Sequence, residues 1–318
     1  MKILLKNDNP LSECYLRYAD ILEKSEKYDC VILSADVTGD ILEKFKNILL
    51  IERLDGAAIH CRKLLKHQHV KTLLKMYHYP DLEINNRPAV DGRIFIPFDG
   101  TEKPQLPELT QADMDKVQPG FNFLHYSRMK IVLEFAKTAK LKSIAERGMD
   151  LFFAGTALYN PESPSGAWIT RHRAKCLENI ANLGKQGLNV VTADHREFRP
   201  AEYYRIMADT KVILSPFGWG EFCYRDYEAL LCGCIVVKPH LPIPWEFLQK
   251  EVGIAQLPNV SCVIFWDTDF PNMASPNWQE KKTFKQFTDD PTMNHLAWSK
   301  HLLGYKQNEK QIIERILE

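Results

Sequence analysis

The stretch LSPFGWGEFCYRDYEALLCGCIVVKP, Leu214 to Pro239, decides the fold. It opens on the end of an apolar run and turns through Gly218, Trp219 and Gly220. It then runs at helical spacing over Tyr224–Leu231, stops at Gly233 and closes on the β-rich run Cys234–Val237. Strand, glycine-bearing turn, helix and strand form the unit from which parallel α/β sheets are assembled. In such sheets ligands bind outside the carboxyl ends of the strands, where this turn belongs. Glycines there let a ligand approach the backbone and leave amides exposed near a helix N-terminus, an arrangement suited to phosphate.

The side chains of this stretch point the same way. Arg225 and Glu228 stand three residues apart on one helical face. A guanidinium takes a diphosphate through paired hydrogen bonds, and a carboxylate accepts from the hydroxyls of a ribose. The plain alternative is a surface ion pair at the same spacing. Trp219 and Tyr224 offer flat rings to a base or sugar, Ser215 lies at the strand end, and Phe217 and Tyr227 read as packing residues. Lys238 ends the last strand, positioned for a phosphate or simply for solvent.

Working outward, the same alternation continues upstream. Asp150–Ala154, Leu188–Thr192 and Lys211–Leu214 read as strands, with helices over Arg171–Leu183 and Pro200–Ala208. In the first half Lys2–Leu5, Cys30–Ser34, Ile48–Ile51 and Arg93–Pro97 read as strands, and Leu11–Glu23, Asp40–Lys46 and His69–Tyr77 as helices. Phe98–Pro119 is polar and proline-bearing and reads as a linker; Tyr126–Arg147 has helical spacing, and so has Leu296–Leu317. The expected fold is α/β with two Rossmann-like domains: residues 1–125, residues 126–295 carrying the site, and a terminal helix, 296–318, packing back on the first domain. A length of 318 residues accommodates two such domains.

Bulk properties exclude several functions. The 41 basic and 41 acidic residues cancel, so no global field recruits nucleic acid or an anionic membrane. No apolar run approaches the roughly 20 residues that span a bilayer, and the start MKILLKNDNP is too short for a signal peptide. The eight cysteines include no CxxC pair, and Cys232 and Cys234 are too close for an ordinary disulfide. Reduced thiols and a cytoplasmic location are expected. A dehydrogenase would need GxGxxG after the first strand, where Lys6-Asn7-Asp8-Asn9-Pro10 has no glycine.

The Leu214–Pro239 stretch resembles the donor-binding core of exostosin-like glycosyltransferases, a GT-B group. The residues that carry the resemblance are Ser215-Pro216, Gly218-Trp219-Gly220, Arg225, Glu228-Ala229-Leu230, Gly233-Cys234 and the strand to Pro239, with Pro244-Trp245-Glu246-Phe247 beyond. Leu151–Gly155 and Tyr159-Asn160-Pro161, followed by Arg171-His172-Arg173, resemble a second patch of the family. The resemblance implies two Rossmann-like domains facing a cleft, with transfer of a sugar, commonly from a UDP-sugar, to a glycan or glycoside hydroxyl. It implies Glu228 on the ribose, with Arg171, Arg173 and Arg225 on the diphosphate and no bound metal or other cofactor. Retaining GT-B enzymes often carry two glutamates eight positions apart; the residue eight before Glu228 is Gly220, and Glu221 is one place off, which favours inversion.

Inversion needs a general base. The first half offers Asp8, Asp36, Asp55, His60 and His78, of which Asp8 and His60 are preferred, although capping or a structural role would equally employ them. Asp267-Thr268-Asp269 follows the apolar run Cys262–Trp266 and could hold a metal in a GT-A-type transferase; a turn is the commoner use of such a sequence. Asp113-Met114-Asp115 in the linker is a weaker motif of that kind. A non-catalytic nucleotide-sugar binding module is the other alternative, against which the substantial first half argues.

Overall fold

The computed structural model describes residues 2–4, 25–32, 39–52, 56, 58–75, 81–87, 93, 96, 106–120, 127–194, 197–239, 263–266, 296, 299–300 and 302–304. The chain divides into two compact units. One comprises Met1–Ser127, Glu246–Val252 and Lys306–Glu318; the other comprises Arg128–Trp245 and Gly253–Tyr305. Each carries a five-stranded sheet, parallel throughout, so the expected α/β class with two Rossmann-like domains is the one observed.

The first sheet contains β1 (Lys2–Leu4), β2 (Cys30–Ile32), β3 (Ile48–Glu52), β4 (Val70–Lys75) and β5 (Val117–Pro119), in that spatial order. Short helices α1 (Gly39–Leu42), α2 (Arg62–Leu65), α3 (Leu82–Asn86) and α4 (Gln111–Met114) lie between its strands in sequence. Its core joins Cys30, Ile32, Ile48, Leu50, Leu65 and Leu73 with side chains of α1, α2 and α4.

Two readings of this region change. His69–Tyr77, expected as a helix, forms strand β4 over Val70–Lys75. A central parallel strand is buried on both faces, so it lacks the alternation that would have marked it. The linker expected over Phe98–Pro119 includes α4 and β5. Thr110 and Asp113 close a capping box there, so Asp113 of the weaker acidic motif serves as a helix cap. The Leu11–Glu23 helix and most of Arg93–Pro97 lie outside the described residues.

The second sheet contains β6 (Met149–Ala154), β7 (Val190–Ala193), β8 (Thr210–Leu214), β9 (Ile235–Pro239) and β10 (Val263–Trp266) in the order β10-β9-β8-β6-β7. The order therefore reverses at the β6–β8 pair, where β7 lies on one side and the later strands on the other. In open parallel sheets such a reversal leaves a crevice at the carboxyl ends of the two strands. Helices α5 (Lys130–Thr138), α6 (Pro164–Lys185), α7 (Pro200–Ala208) and α8 (Tyr224–Leu231) complete the unit. Helix α5 is shorter than the Tyr126–Arg147 reading, because the chain turns extended at Ala139 and a capped 3-10 turn takes up Ile144–Glu146. Helix α6 begins earlier than expected, with Ser163 accepting from the Gly166 amide and Pro164 at its first position.

Gly233 ends α8 at φ 69°, its amide donating to Leu230 O and that of Cys234 to Ala229 O; only a residue without Cβ adopts this turn freely. Ser299 Oγ donates to Leu231 O at 2.7 Å, so this described part of the terminal region belongs to the second unit, while Lys306–Glu318 is grouped with the first. Leu231 ends α8 fully buried, and its carbonyl, out of reach of a helical amide, takes this hydroxyl as donor.

Candidate functional site: the β6–β8 edge

The site is built on the two loops that leave the reversal point. After β6 comes Gly155, and after β8 come Ser215 to Cys223, which lead into α8. Arg225, in the first turn of α8, is only 8 % exposed and reaches across to β6, where Nε donates to Ala154 O at 3.1 Å. Its guanidinium lies 4.7 Å from the Phe153 ring centre. A Cβ built on Gly155 would overlap Arg225 Nη2, so this glycine is the space the arginine occupies. The surface ion pair with Glu228 is excluded by this burial.

Arg173 arrives from α6. Its Nε donates to Phe217 O at 2.9 Å and Nη1 to Thr156 O at 2.5 Å, while the guanidinium covers the Tyr159 ring at 5.0 Å. A Cβ on Gly218 would stand 3.0 Å from Arg173 Nη2, and one on Gly155 3.6 Å from Arg173 Nη1. Two buried guanidinium groups thus converge on one glycine. Burial first, and then the Arg225 charge, lowers the pKa of Arg173. Arg225 Nη1 is buried and donates no hydrogen bond. Burial opposes the Arg225 charge, but the pulls of Cys223, Tyr203, Asp226 and Glu228 outweigh it and raise its pKa, so the group stays a cation with one buried N–H donor left for an anion.

Glu228, one turn along α8 from Arg225, is 4 % exposed. Tyr203 Oη donates to one carboxylate oxygen at 3.2 Å and Tyr204 Oη to the other at 3.1 Å. Burial raises the pKa of Glu228 against the opposing pull of Arg128, the two tyrosines and Arg225.

The remaining sequence candidates divide. Trp219 is 38 % exposed and meets the Tyr159 ring edge-on at 5.1 Å, so it stands at the mouth as expected. Tyr224 is half-buried, with the Arg128 guanidinium 4.6 Å from its ring centre. Gly218 and Gly220 are buried, the Gly218 amide donating to Gly220 O at 3.3 Å, and Gly218 makes room for Arg173. Ser215 is buried at the end of β8, its amide bonded to Val237 O and its hydroxyl 3.8 Å from Cys223 Sγ.

Arg171 is exposed, since two positions on a helix turn a side chain by roughly 200° and Arg173 takes the inner face. Lys238, expected on a phosphate or in solvent, is not in solvent. It is fully buried, its Nζ 2.9 and 3.0 Å from the Asp226 carboxylate and 3.4 Å from Ser215 O. Asp226 in turn caps α8 by accepting from the Cys223 amide at 2.8 Å.

His172 was hidden in the Arg-His-Arg triplet. Its ring lies between Trp168 and Phe217 at 4.7 and 5.4 Å, and its Nε2 accepts from the Phe217 amide at 3.1 Å. Burial, then the charges of Arg173 and Lys238, push its pKa down to about 3, so it is a neutral support for the turn.

On the first unit, His60 follows β3. Its amide, with that of Cys61, donates to Glu52 Oε2 at 2.9 Å, and Glu52 Oε1 pairs with the buried Lys75 Nζ at 2.5 Å. Burial, against the pull of Glu52, takes the His60 pKa down to about 4. Asp8, Asp36, Asp55, His78, Asp267 and Asp269 lie outside the described residues.

Part of the chain is similar to curated glycosyltransferases. A "Probable glucuronosyltransferase" of Oryza sativa subsp. japonica is 27% identical over 158 residues, 44% of this chain and 36% of the relative. A "Probable beta-1,4-xylosyltransferase" of Arabidopsis thaliana is 28% identical over 127 residues, 37% of this chain and 29% of the relative. The chain is related to these glycosyltransferases. It matches about a third of their length, and the exostosin-like resemblance of the Leu214–Pro239 core agrees with their names. No protein-family profile matches the chain. Among solved structures, the pneumococcal O-GlcNAc transferase GtfA in complex with UDP and GlcNAc aligns with 95% of this chain and 60% of its own, at 10% identity and a TM-score of 0.43. An alpha-glucosyltransferase in complex with UDP-glucose and DNA containing an abasic site aligns with 96% and 84%, at 11% identity and a TM-score of 0.36.

Proposed function

We propose that the protein is a glycosyltransferase that moves a sugar from a nucleotide donor, a UDP-sugar first among them, to a glycan or glycoside hydroxyl. The observation that carries this reading is the buried, unsatisfied Arg225 Nη1 beside Arg173 at the strand-order reversal. The relatives' names supply the class of reaction. The two guanidinium groups would receive the diphosphate, and Glu228 would accept from the ribose hydroxyls. Trp219 at the mouth would meet the base or the sugar ring.

In an inverting transfer the acceptor oxygen attacks the anomeric carbon as the bond from that carbon to the diphosphate oxygen breaks. The electron pair leaves on the diphosphate, and the acceptor proton passes to a base. Charge develops on the leaving oxygens, where preorganised donors act most strongly, so Arg173 and Arg225 would serve in place of a divalent cation. His60, neutral above about pH 5 and at the carboxyl edge of the first sheet, is our candidate for the base, alongside Asp8. A reducing, cytoplasm-like compartment is part of this proposal, and the buried thiols of Cys61, Cys176, Cys232 and Cys234 support it. No helix among the described residues is long and apolar enough to cross a membrane.

The test is a thermal-shift titration with UDP, GDP and CMP, with and without EDTA, followed by turnover assays with UDP-glucuronic acid and UDP-xylose. Stabilisation by one nucleoside diphosphate, insensitive to EDTA and lost in Glu228→Ala, is the expected result. An EDTA-sensitive shift abolished by Asp267→Ala would replace this reading with the metal-dependent one. Binding without turnover on any acceptor would favour a nucleotide-sugar binding module.

A further inference from the structure

Glu228 has an acceptor count that its protein partners do not fill. An ionised carboxylate offers about four lone-pair sites. Its hydrogen bonds come from the hydroxyls of Tyr203 and Tyr204, one to each oxygen, which leaves one further site on each. Both tyrosines stand side by side on α7 and are held as rigid bodies. Tyr203 packs on Phe152 at 5.7 Å and Tyr204 on Phe135 at 6.1 Å, with 5.2 Å between the two tyrosine rings. Burial first, and then the Glu228 charge, raises both phenol pKa values, so the hydroxyls remain donors. Two fixed donors on separate oxygens set the plane of the carboxylate. The free lone pairs then have fixed directions, and Arg225 with its open Nη1 lies one helical turn away.

We propose that Tyr203 and Tyr204 are positioning residues that orient Glu228 for paired ribose hydroxyls, making the site select a ribonucleoside diphosphate over its 2′-deoxy analogue. The inference rests on the glycosyltransferase reading above. It adds a specificity device that lies on α7, away from the glycine turn.

Calorimetric titration of UDP and 2′-deoxy-UDP into the wild type, Tyr203→Phe, Tyr204→Phe and the double variant tests it. Phenylalanine keeps the ring packing and removes only the donor. The wild type should prefer UDP by about tenfold or more, the order expected for a hydrogen bond to a charged group. The Phe variants should weaken UDP by a similar factor while leaving 2′-deoxy-UDP nearly unchanged, so that the preference collapses. A purely structural role would weaken both nucleotides equally and keep their ratio, which would overturn the inference. Equal binding of the two by the wild type, a result that needs no variant, would also overturn it while leaving the donor-site reading intact. A wild type that binds no nucleoside diphosphate removes the donor-site reading and the inference with it.

Discussion

The two sheets end in charged clusters of similar composition and opposite completeness. At the edge of the first, Lys75 Nζ bonds Glu52 and Gly56 O, and the other Glu52 oxygen takes the amides of His60 and Cys61. No buried side-chain nitrogen or oxygen of this cluster lacks a partner, and the cluster pins a loop. At the edge of the second, Lys238 and Asp226 form an equally sealed pair, but Arg225 and Glu228 beside them each keep capacity in reserve. The first sheet runs in sequential order, whereas the second reverses at β6–β8, directly beneath that unfilled pair. Burial of charge therefore does not by itself mark a site; burial with unspent hydrogen bonds at a reversal does.

The comparison breaks most visibly at Lys75. Lys75→Met leaves Glu52 buried and unpaired and should cost about 3–5 kcal/mol of stability in chemical denaturation. Stability is what this cluster supplies, so a loss below about 1 kcal/mol would make it dispensable. Arg225→Ala should do the converse. Nucleotide affinity should fall by about 2–5 kcal/mol, the usual cost of truncating a buried charge partner, while the melting midpoint falls by less than in Lys75→Met, because Arg225 keeps donor capacity that the fold does not use. A large destabilisation there would class Arg225 with Lys75.

Gly155→Ala puts a methyl where Arg225 Nη2 lies. The guanidinium must shift, and overpacking of this kind costs about 1–3 kcal/mol. Reduced nucleotide affinity with a native circular dichroism spectrum is expected.

A last effect, confined to acid pH, concerns His60. Its pKa of about 4 lies below the ordinary 6.5, so the unfolded chain binds more protons between those values. Stability must then fall as pH drops from about 6.5 towards 4 and stay level above that range. His60→Gln should remove its share of the slope, read as the wild-type-minus-variant difference in denaturation midpoint; the His172 share remains.

Much of the second unit was legible because its elements carry punctuation. Helix α8 runs over Tyr224–Leu231 as its spacing and Gly233 dictate, and helix α7 over Pro200–Ala208 as read from its opening proline. Strand β4 was misread because a two-sided buried strand has no period of 2 to detect. In the site, Arg225, Glu228 and Trp219 were found through local spacing. The partnership of Arg173 with Arg225 over Gly155, and the tyrosine hydroxyls on Glu228, join segments far apart in the chain. No local pattern encodes such contacts. The burial of Lys238 was missed for the same reason, because its partner Asp226 lies on another element.

The most direct measurement is a crystal structure of the protein with UDP. The account predicts diphosphate oxygens within hydrogen-bond distance of Arg225 Nη1 and Arg173, with the ribose on Glu228. A nucleotide bound at the carboxyl edge of the first sheet, or at the second with Arg225 Nη1 still unpaired, would contradict it.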